Sequence, residues 1–282
     1  MNIKINKNSI FINTDRFDIQ KTFECGQCFR FNKIDDGTYQ GIAYNKLLTL
    51  CQKNDGVELF GVCENEFYNT FFEYFDLGRD YDAVDAALQN DPVLKNVIPH
   101  AKGIRILNQQ PFETLVSFII SASNNIPRIK KIINSLCENF GEQIDGGFAF
   151  PTPEVLAKKT PADLSVIKAG FRDKYIIDCA NKVASGALDL NKIKTLDINS
   201  AREQLKTVNG VGDKVADCSL LFGLGFINAF PKDVWIKRIL NNYYGTNTEK
   251  DLDFYGFGGI AQQYLFYYAI TEEKKQYALS KV

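Results

Sequence analysis

Hydrophobic and polar positions alternate along the first third of the chain in short runs: CFRFNKID (28–35), TYQGIAY (38–44) and NKLLTLCQ (45–52). Turn chemistry at Asp35-Asp36-Gly37 and at Asn45-Lys46 separates them, so the runs predict strands joined as an antiparallel meander. After about residue 80 the repeat lengthens. Ile126, Ile129, Ile132, Ile133, Leu136, Cys137 and Phe140 follow a 3.6-residue period, with Pro127 in the first turn and Gly141 at the end. Pro111 introduces FETLVSFIIS, and Thr152-Pro153-Glu154 and Thr160-Pro161 read as further helix starts. Ser200 and Glu203 have the spacing of a capping box. The expectation is an α+β fold. An amino-terminal antiparallel β-sheet subdomain (1–95) packs on a mainly helical domain (96–282) of six to nine helices, with no internal repeat.

Composition changes this picture little. With 282 residues, 45% of them hydrophobic, the chain can bury a substantial core. No stretch approaches twenty uncharged apolar residues and the start is broken by lysine, asparagine and aspartate, so we expect a soluble, unexported, cytoplasmic protein with no membrane partner. The seven cysteines are scattered, which suits a reducing compartment. Cys25 and Cys28 form a C-x-x-C pair without a second pair to complete a metal site, and the single histidine is remote at His100, so the pair reads as structural. The net charge of −1 hides an uneven distribution: residues 54–91 hold ten acidic residues and one basic one, leaving 32 basic against 24 acidic elsewhere. That surplus is enough for a local phosphate-facing surface.

The chemistry concentrates in residues 205–235, LKTVNGVGDKVADCSLLFGLGFINAFPKDVW. A helix runs into the turn Asn209-Gly210-Val211-Gly212, Lys214 opens the next helix, and Asp233 follows nineteen residues later. Two glycines let the backbone approach another chain, and the amides at the new helix start point outward toward an anion such as a DNA phosphate. Lys214 offers an amine nucleophile, and Asp233, after Pro231 and before the apolar WIKRIL, offers both an N-cap and a carboxylate.

This segment resembles the helix–hairpin–helix plus Gly/Pro-Asp signature of the DNA base-excision glycosylase superfamily, with the hairpin at about 200–224 and Asn209 in place of the usual proline. Within it the chain is most similar to the 8-oxoguanine DNA glycosylase/AP lyases. The blocks that carry the likeness are ECGQCFRF, GIRILNQQPFETLVSFIISASNNIPRI, AGFRDKYI and GGIAQQYLFYYA, in the same order. Endonuclease III and adenine glycosylase types carry a four-cysteine iron–sulfur loop after the motif. This chain has no cysteine after Cys218, so no such cluster is expected.

The resemblance implies a monomeric, bifunctional enzyme acting on double-stranded DNA that contains 8-oxoguanine, preferably opposite cytosine. It would extrude the base, excise it through a Lys214 Schiff base assisted by Asp233, and cut the strand by β-elimination in base-excision repair. The Gly26 carbonyl would accept a hydrogen from N7, which is protonated in 8-oxoguanine and bare in guanine. Cys218 would lie against Lys214 in the base pocket, Phe266 would stack on the extruded base and Gln262 would read its Watson–Crick edge. Ser123, Asn124, Asn125, Arg128, Phe171 and Arg172 would fill the gap and contact the widowed cytosine, although Ser123 replaces an asparagine wedge and Phe171 a tyrosine. Amides of Gly210, Gly212 and Val215, with the Trp235 indole where relatives have a histidine, would bind phosphate. No cofactor is implied beyond a structural cation on the carbonyls of Lys206, Val208 and Val211. The alternatives are a glycosylase of the same superfamily for other damaged bases, and a non-catalytic DNA-binding module.

Overall fold

A computed structural model of the chain describes residues 1–245 and 254–279. Six strands form one antiparallel sheet: β1 (Asn2–Ile5), β2 (Ile10–Asn13), β3 (Phe31–Asp35), β4 (Thr38–Ala43), β5 (Lys46–Lys53) and β6 (Gly56–Phe60), in the spatial order β1-β2-β6-β5-β4-β3. The predicted meander is therefore present as β3 to β6, and β1–β2 extends it past β6. The β4–β5 turn lies one residue earlier than expected, at Tyr44-Asn45. Both adopt positive φ (50° and 61°), the geometry of a two-residue hairpin whose twist matches its strands. Inward-facing Ile10, Ile12, Tyr39, Leu48, Leu50, Val57 and Leu59 cover a layer of aromatics that includes Phe17, Phe23, Phe31, Phe67, Phe71 and Phe75.

Apart from the short helix Ile19–Glu24, helical structure begins at Glu64, and ten α-helices lie between Leu94 and Leu279 among the described residues. The number exceeds the expected range because pieces such as Leu190–Ile193 are too short to display a period. The cap of helix Ile198–Lys206 also differs from expectation. Asp197 accepts from the amides of Asn199 and Ser200 at 3.0 and 3.1 Å, whereas Ser200 sits inside the helix and Glu203 pairs with Lys206. A carboxylate cap satisfies the same orphan donors and also favours the positive helix end. Thr160 and Asp163 bond each other at the start of a 3-10 turn, Asp163–Ile167, rather than an α-helix.

Two helices are buried on nearly all faces. Pro111–Ser121 buries every residue from Thr114 to Ile120, and Asp213–Gly223 buries every residue from Val215 onward. They pack against each other with Phe118 stacked on Phe222 at 5.5 Å between ring centres. The approach is close enough that a Cβ on Gly223 would lie 2.9 Å from the Thr114 Cβ. Around this pair the remaining helices complete a second apolar core, separate from the one beneath the sheet.

Polar contacts join the two cores at the surface, as in Lys102 with Asp15 and Lys130 with Asn32, and also in the interior. Asp85 accepts from Arg16 Nη1 at 2.7 Å and from the Tyr264 hydroxyl at 3.0 Å, which ties the amino-terminal segment to the last helix, Gly258–Leu279. The fully buried Gln27 donates to the carbonyls of Thr22 (2.9 Å) and Arg105 (2.8 Å), while its Oε1 accepts from the Leu107 amide at 2.8 Å. Cys25 falls in the helical core and Cys28 in the sheet core, so the segment Cys25–Cys28 crosses the seam. Tyr264→Phe removes one hydrogen bond to a buried carboxylate. It is expected to lower the free energy of unfolding by about 1.5–3 kcal/mol, measured by denaturant titration.

Candidate active site

Lys214 occupies the first turn of helix Asp213–Gly223 and is directed at the other central helix. Its Nζ donates to Ser121 Oγ at 3.3 Å and lies 5.0 Å from the centre of the Phe118 ring. The neighbouring Asp213 carboxylate pairs instead with Lys206 (2.9 Å). Asp233 caps helix Val234–Ile239, its Oδ1 accepting from the Ile236 amide at 2.8 Å.

Both residues line one pocket, together with Cys25, Gly26, Phe118, Cys218, Phe222, Pro231, Gln262, Gln263 and Phe266. The structure thus brings together Lys214, Asp233, Gly26, Cys218, Gln262 and Phe266, which come from four separate stretches of sequence. Gly26 has φ +77°, a conformation that favours glycine, and the Phe266 ring lies 3.4 Å from the position a Cβ would take there. Burial pushes the Cys218 thiol up to about 11, against the pull of the adjacent Lys214 charge, and Cys25 up to about 12. Both remain protonated, soft apolar surfaces at neutral pH. The pocket holds about 40 Å³.

The pocket also contains residues that sequence reasoning missed. Phe118 and Phe222 sit in runs so uniformly apolar that nothing distinguishes a lining residue from core. Cys25 read as a structural member of the C-x-x-C pair and Pro231 as the residue leading to Asp233, and neither pattern marks a pocket-lining residue. Gln263 is next to a residue that the resemblance singled out, and its burial, 3% exposed, was the one missing signal.

The hairpin turn faces outward. Gly212 is the N-cap of helix Asp213–Gly223 and no side chain caps the amides of that first turn. A Cβ on Gly212 would meet open space, whereas Gly210, at φ +82°, rests on the Tyr175 ring. Asn209 occupies the place of the family's proline and so carries an N–H that proline lacks. That N–H donates to Asp178 Oδ2 at 2.8 Å. The same carboxylate oxygen pairs at 2.9 Å with Lys182, whose Nζ also reaches the Thr207 carbonyl. The departure from the family pattern is matched by a partner on helix Asp173–Ala184.

The predicted gap-filling residues are adjacent in space but not equally available. Asn125 caps helix Ile126–Phe140 through the Arg128 amide (3.0 Å), and Asn124 donates to the Ile120 carbonyl (3.1 Å). Arg172 is buried and its guanidinium is taken up by the carbonyls of Ala122, Ser123 and Ala169. Burial, and then the charge of Arg128, lower its pKa. Arg128 and Phe171 are exposed, with the Arg172 guanidinium 4.4 Å from the Phe171 ring centre. Ser123 stands at φ +50°, where asparagine is better tolerated than serine. Trp235 is half-buried with the Arg238 guanidinium 5.3 Å from its ring centre. Among the described residues no group of three or more His, Cys, Asp or Glu could hold a metal, and no helix is long and apolar enough to cross a membrane.

Asp178→Ala leaves the Asn209 N–H without its protein partner and is expected to cost ~1 kcal/mol of stability. Adding Asn209→Pro should recover most of that loss, since proline has no N–H to satisfy. A double-mutant cycle by denaturant unfolding checks this, and additive effects would contradict it.

Residues 9–115 match the family described as 8-oxoguanine DNA glycosylase, N-terminal domain, and residues 116–253 match the HhH-GPD superfamily of base excision DNA repair proteins. Among solved structures, the Clostridium acetobutylicum 8-oxoguanine glycosylase/lyase, in complex with double-stranded DNA containing cytosine opposite 8-oxoguanine, superimposes with a TM-score of 0.91 at 40% identity. That match covers 97% of this chain and 99% of that one. The Arabidopsis thaliana N-glycosylase/DNA lyase OGG1 is 29% identical over 90% of this chain and 77% of its own length. The Saccharomyces cerevisiae N-glycosylase/DNA lyase is 42% identical over 53% of this chain, a match spanning 44% of the yeast protein. The amino-terminal sheet and the helical domain with its hairpin are thus parts of one known architecture, and the chain belongs to the 8-oxoguanine DNA glycosylase/lyase family of the helix–hairpin–helix superfamily.

Proposed function

We propose that the protein excises 8-oxoguanine from double-stranded DNA and then cleaves the strand. The observation that carries this reading is the convergence of Lys214, Asp233, Gly26, Cys218, Gln262 and Phe266 on one pocket. The extruded base stacks on Phe266 and the Cys218 thiol, Gln262 bonds its Watson–Crick edge, and the Gly26 carbonyl accepts the N7 hydrogen. Guanine presents a bare acceptor at that position, so two lone pairs would face each other in a dry site.

The Lys214 amine forms a bond to the sugar C1′ as the N-glycosidic bond breaks, and the electron pair leaves with the base, which is then protonated. Loss of the amine proton and opening of the sugar ring give a Schiff base. Removal of a C2′ proton then expels the 3′ phosphate by β-elimination. Asp233 stabilises positive charge developing on the sugar, a role compatible with its N-cap bond. Amides of Gly210, Gly212 and Val215, and the Trp235 indole, hold backbone phosphates. A hard or monovalent cation on the carbonyls of Lys206, Val208 and Val211 would add to this anchor. The Lys182 ammonium already serves the neighbouring Thr207 carbonyl.

Arg128, exposed at the rim, donates to O2 and N3 of the widowed cytosine, while Arg172 holds the Ala122-Ser123 backbone and Phe171 and Ser123 fill the gap. Seven unbridged thiols suit a reducing compartment, and we place the protein in the cytoplasm beside the chromosome of a prokaryotic cell.

Borohydride reduction with a lesion duplex is expected to trap a covalent adduct with wild type and none with Lys214→Gln. An adduct that survives the substitution would sink the assignment. Asp233→Asn keeps a good N-cap but removes the charge, so it should lower single-turnover excision by on the order of 10²–10³-fold while leaving the melting temperature nearly unchanged. With 8-oxoguanine placed opposite each of the four bases, wild type should prefer cytosine, and Arg128→Ala should reduce that preference by about tenfold. Equal cutting of all four by wild type would refute the role of Arg128. Efficient release of alkylated purines in preference to 8-oxoguanine would favour the alternative lesion class.

A further inference from the structure

Gln263 is 3% exposed and lines the base pocket beside Gln262. Its Nε2 donates to Gln262 Oε1 at 2.8 Å. Its own Oε1 is buried and finds no hydrogen-bond donor in the protein. A buried amide oxygen left unpaired is disfavoured, and few such groups persist without a purpose. This one belongs to the pocket that, on the reading above, receives an extruded purine. An acceptor there selects for a donor on the guest.

The donors of 8-oxoguanine are N1–H, N7–H and the exocyclic 2-amino group. N7–H is met by the Gly26 carbonyl, on the proposed reading. Gln262 meets the Watson–Crick edge, but one lone pair of its Oε1 is already committed to Gln263. That oxygen has a single lone pair left to share between N1–H and the 2-amino group, which together offer three hydrogens. We infer that Gln263 is a specificity-determining residue whose Oε1 accepts from the exocyclic amino group of the flipped base, so that the pocket selects 2-aminopurines. Gly26 then tests for oxidation at the imidazole ring and Gln263 tests for the amino group, and an oxidised purine lacking that group is rejected even with N7 protonated.

This inference rests on the proposed excision of 8-oxoguanine, and the experiment separates the two. Single-turnover excision is measured on duplexes carrying 8-oxoguanine or 8-oxohypoxanthine, which differ only in the 2-amino group, each opposite cytosine. Wild type, Gln263→Leu and Gln263→Glu are compared, with melting temperatures recorded for each. Wild type should prefer 8-oxoguanine. Gln263→Leu, close in size, should slow 8-oxoguanine by about tenfold or more while leaving 8-oxohypoxanthine within about twofold, so that the ratio collapses. Gln263→Glu loses the donor to Gln262 but keeps an acceptor, and should retain the preference for the amino-bearing base. Equal slowing of both substrates by Gln263→Leu, with the ratio preserved, would mean that Gln263 only orients Gln262, and the inference fails while the glycosylase reading stands. Loss of the preference in Gln263→Glu as complete as in Gln263→Leu overturns it as well. A wild type that excises neither base defeats both readings together.

Discussion

The contact between helices Pro111–Ser121 and Asp213–Gly223 is the constraint on which the rest of the site depends. Each is buried around nearly its whole circumference beyond the first turn, so both must be enclosed by other elements. Their closeness rests on Gly223 against Thr114 and on the Phe118–Phe222 stack. The same contact sets the reach of Lys214, because its two neighbours, Ser121 and Phe118, lie on the facing helix. Stability and chemistry thus share one interface: a shift that loosened the helices would also move the amine relative to the sugar it attacks. Effects of this kind are steep, since a misplacement of ~1 Å can cost about 10²-fold in rate.

Much of this was legible in the sequence. The strands from β3 to β5 follow from their turns, and the helix starts at Pro111, Pro127 and Pro153 are where proline predicts them. Lys214 and Asp233 could be found because the hairpin imposes a spacing that survives in one dimension. Gly26, Gln262 and Phe266 were legible only through likeness, since a turn glycine and an aromatic at helical spacing are common in any core. Other features had no linear signature. The pairing of Asn209 with Asp178 spans 31 positions, and that of Arg172 with Ala122 spans 50. Such bonds exist only once the helices have packed, so the hold of Arg172 on the loop backbone had no trace in the sequence.

The Arg172 hold and the hairpin clamp show the same logic at two places on the DNA-facing side. In each, a charged side chain that composition would count toward a phosphate-binding surface is bound to the protein's own backbone: Arg172 to the carbonyls around Ser123, Lys182 to that of Thr207. Net positive charge near DNA therefore overstates the number of cations free to meet phosphates. What these two contribute is rigidity of a strained serine loop and of a glycine turn, both of which would otherwise sample many conformations. Preorganised backbone amides then bind an anion without first being ordered.

The seam between the two cores gives Gly26 a further property. Its carbonyl is carried on the Cys25–Cys28 segment, with one flank in the helical core, the other in the sheet core, and Gln27 hydrogen-bonded between them. The atom assigned to distinguish oxidised from normal guanine is therefore positioned by the registration of two bodies, while Lys214 is positioned inside one of them. Base discrimination and nucleophilic attack therefore draw on different contacts, the first on how sheet and bundle register across the seam and the second on packing within the bundle.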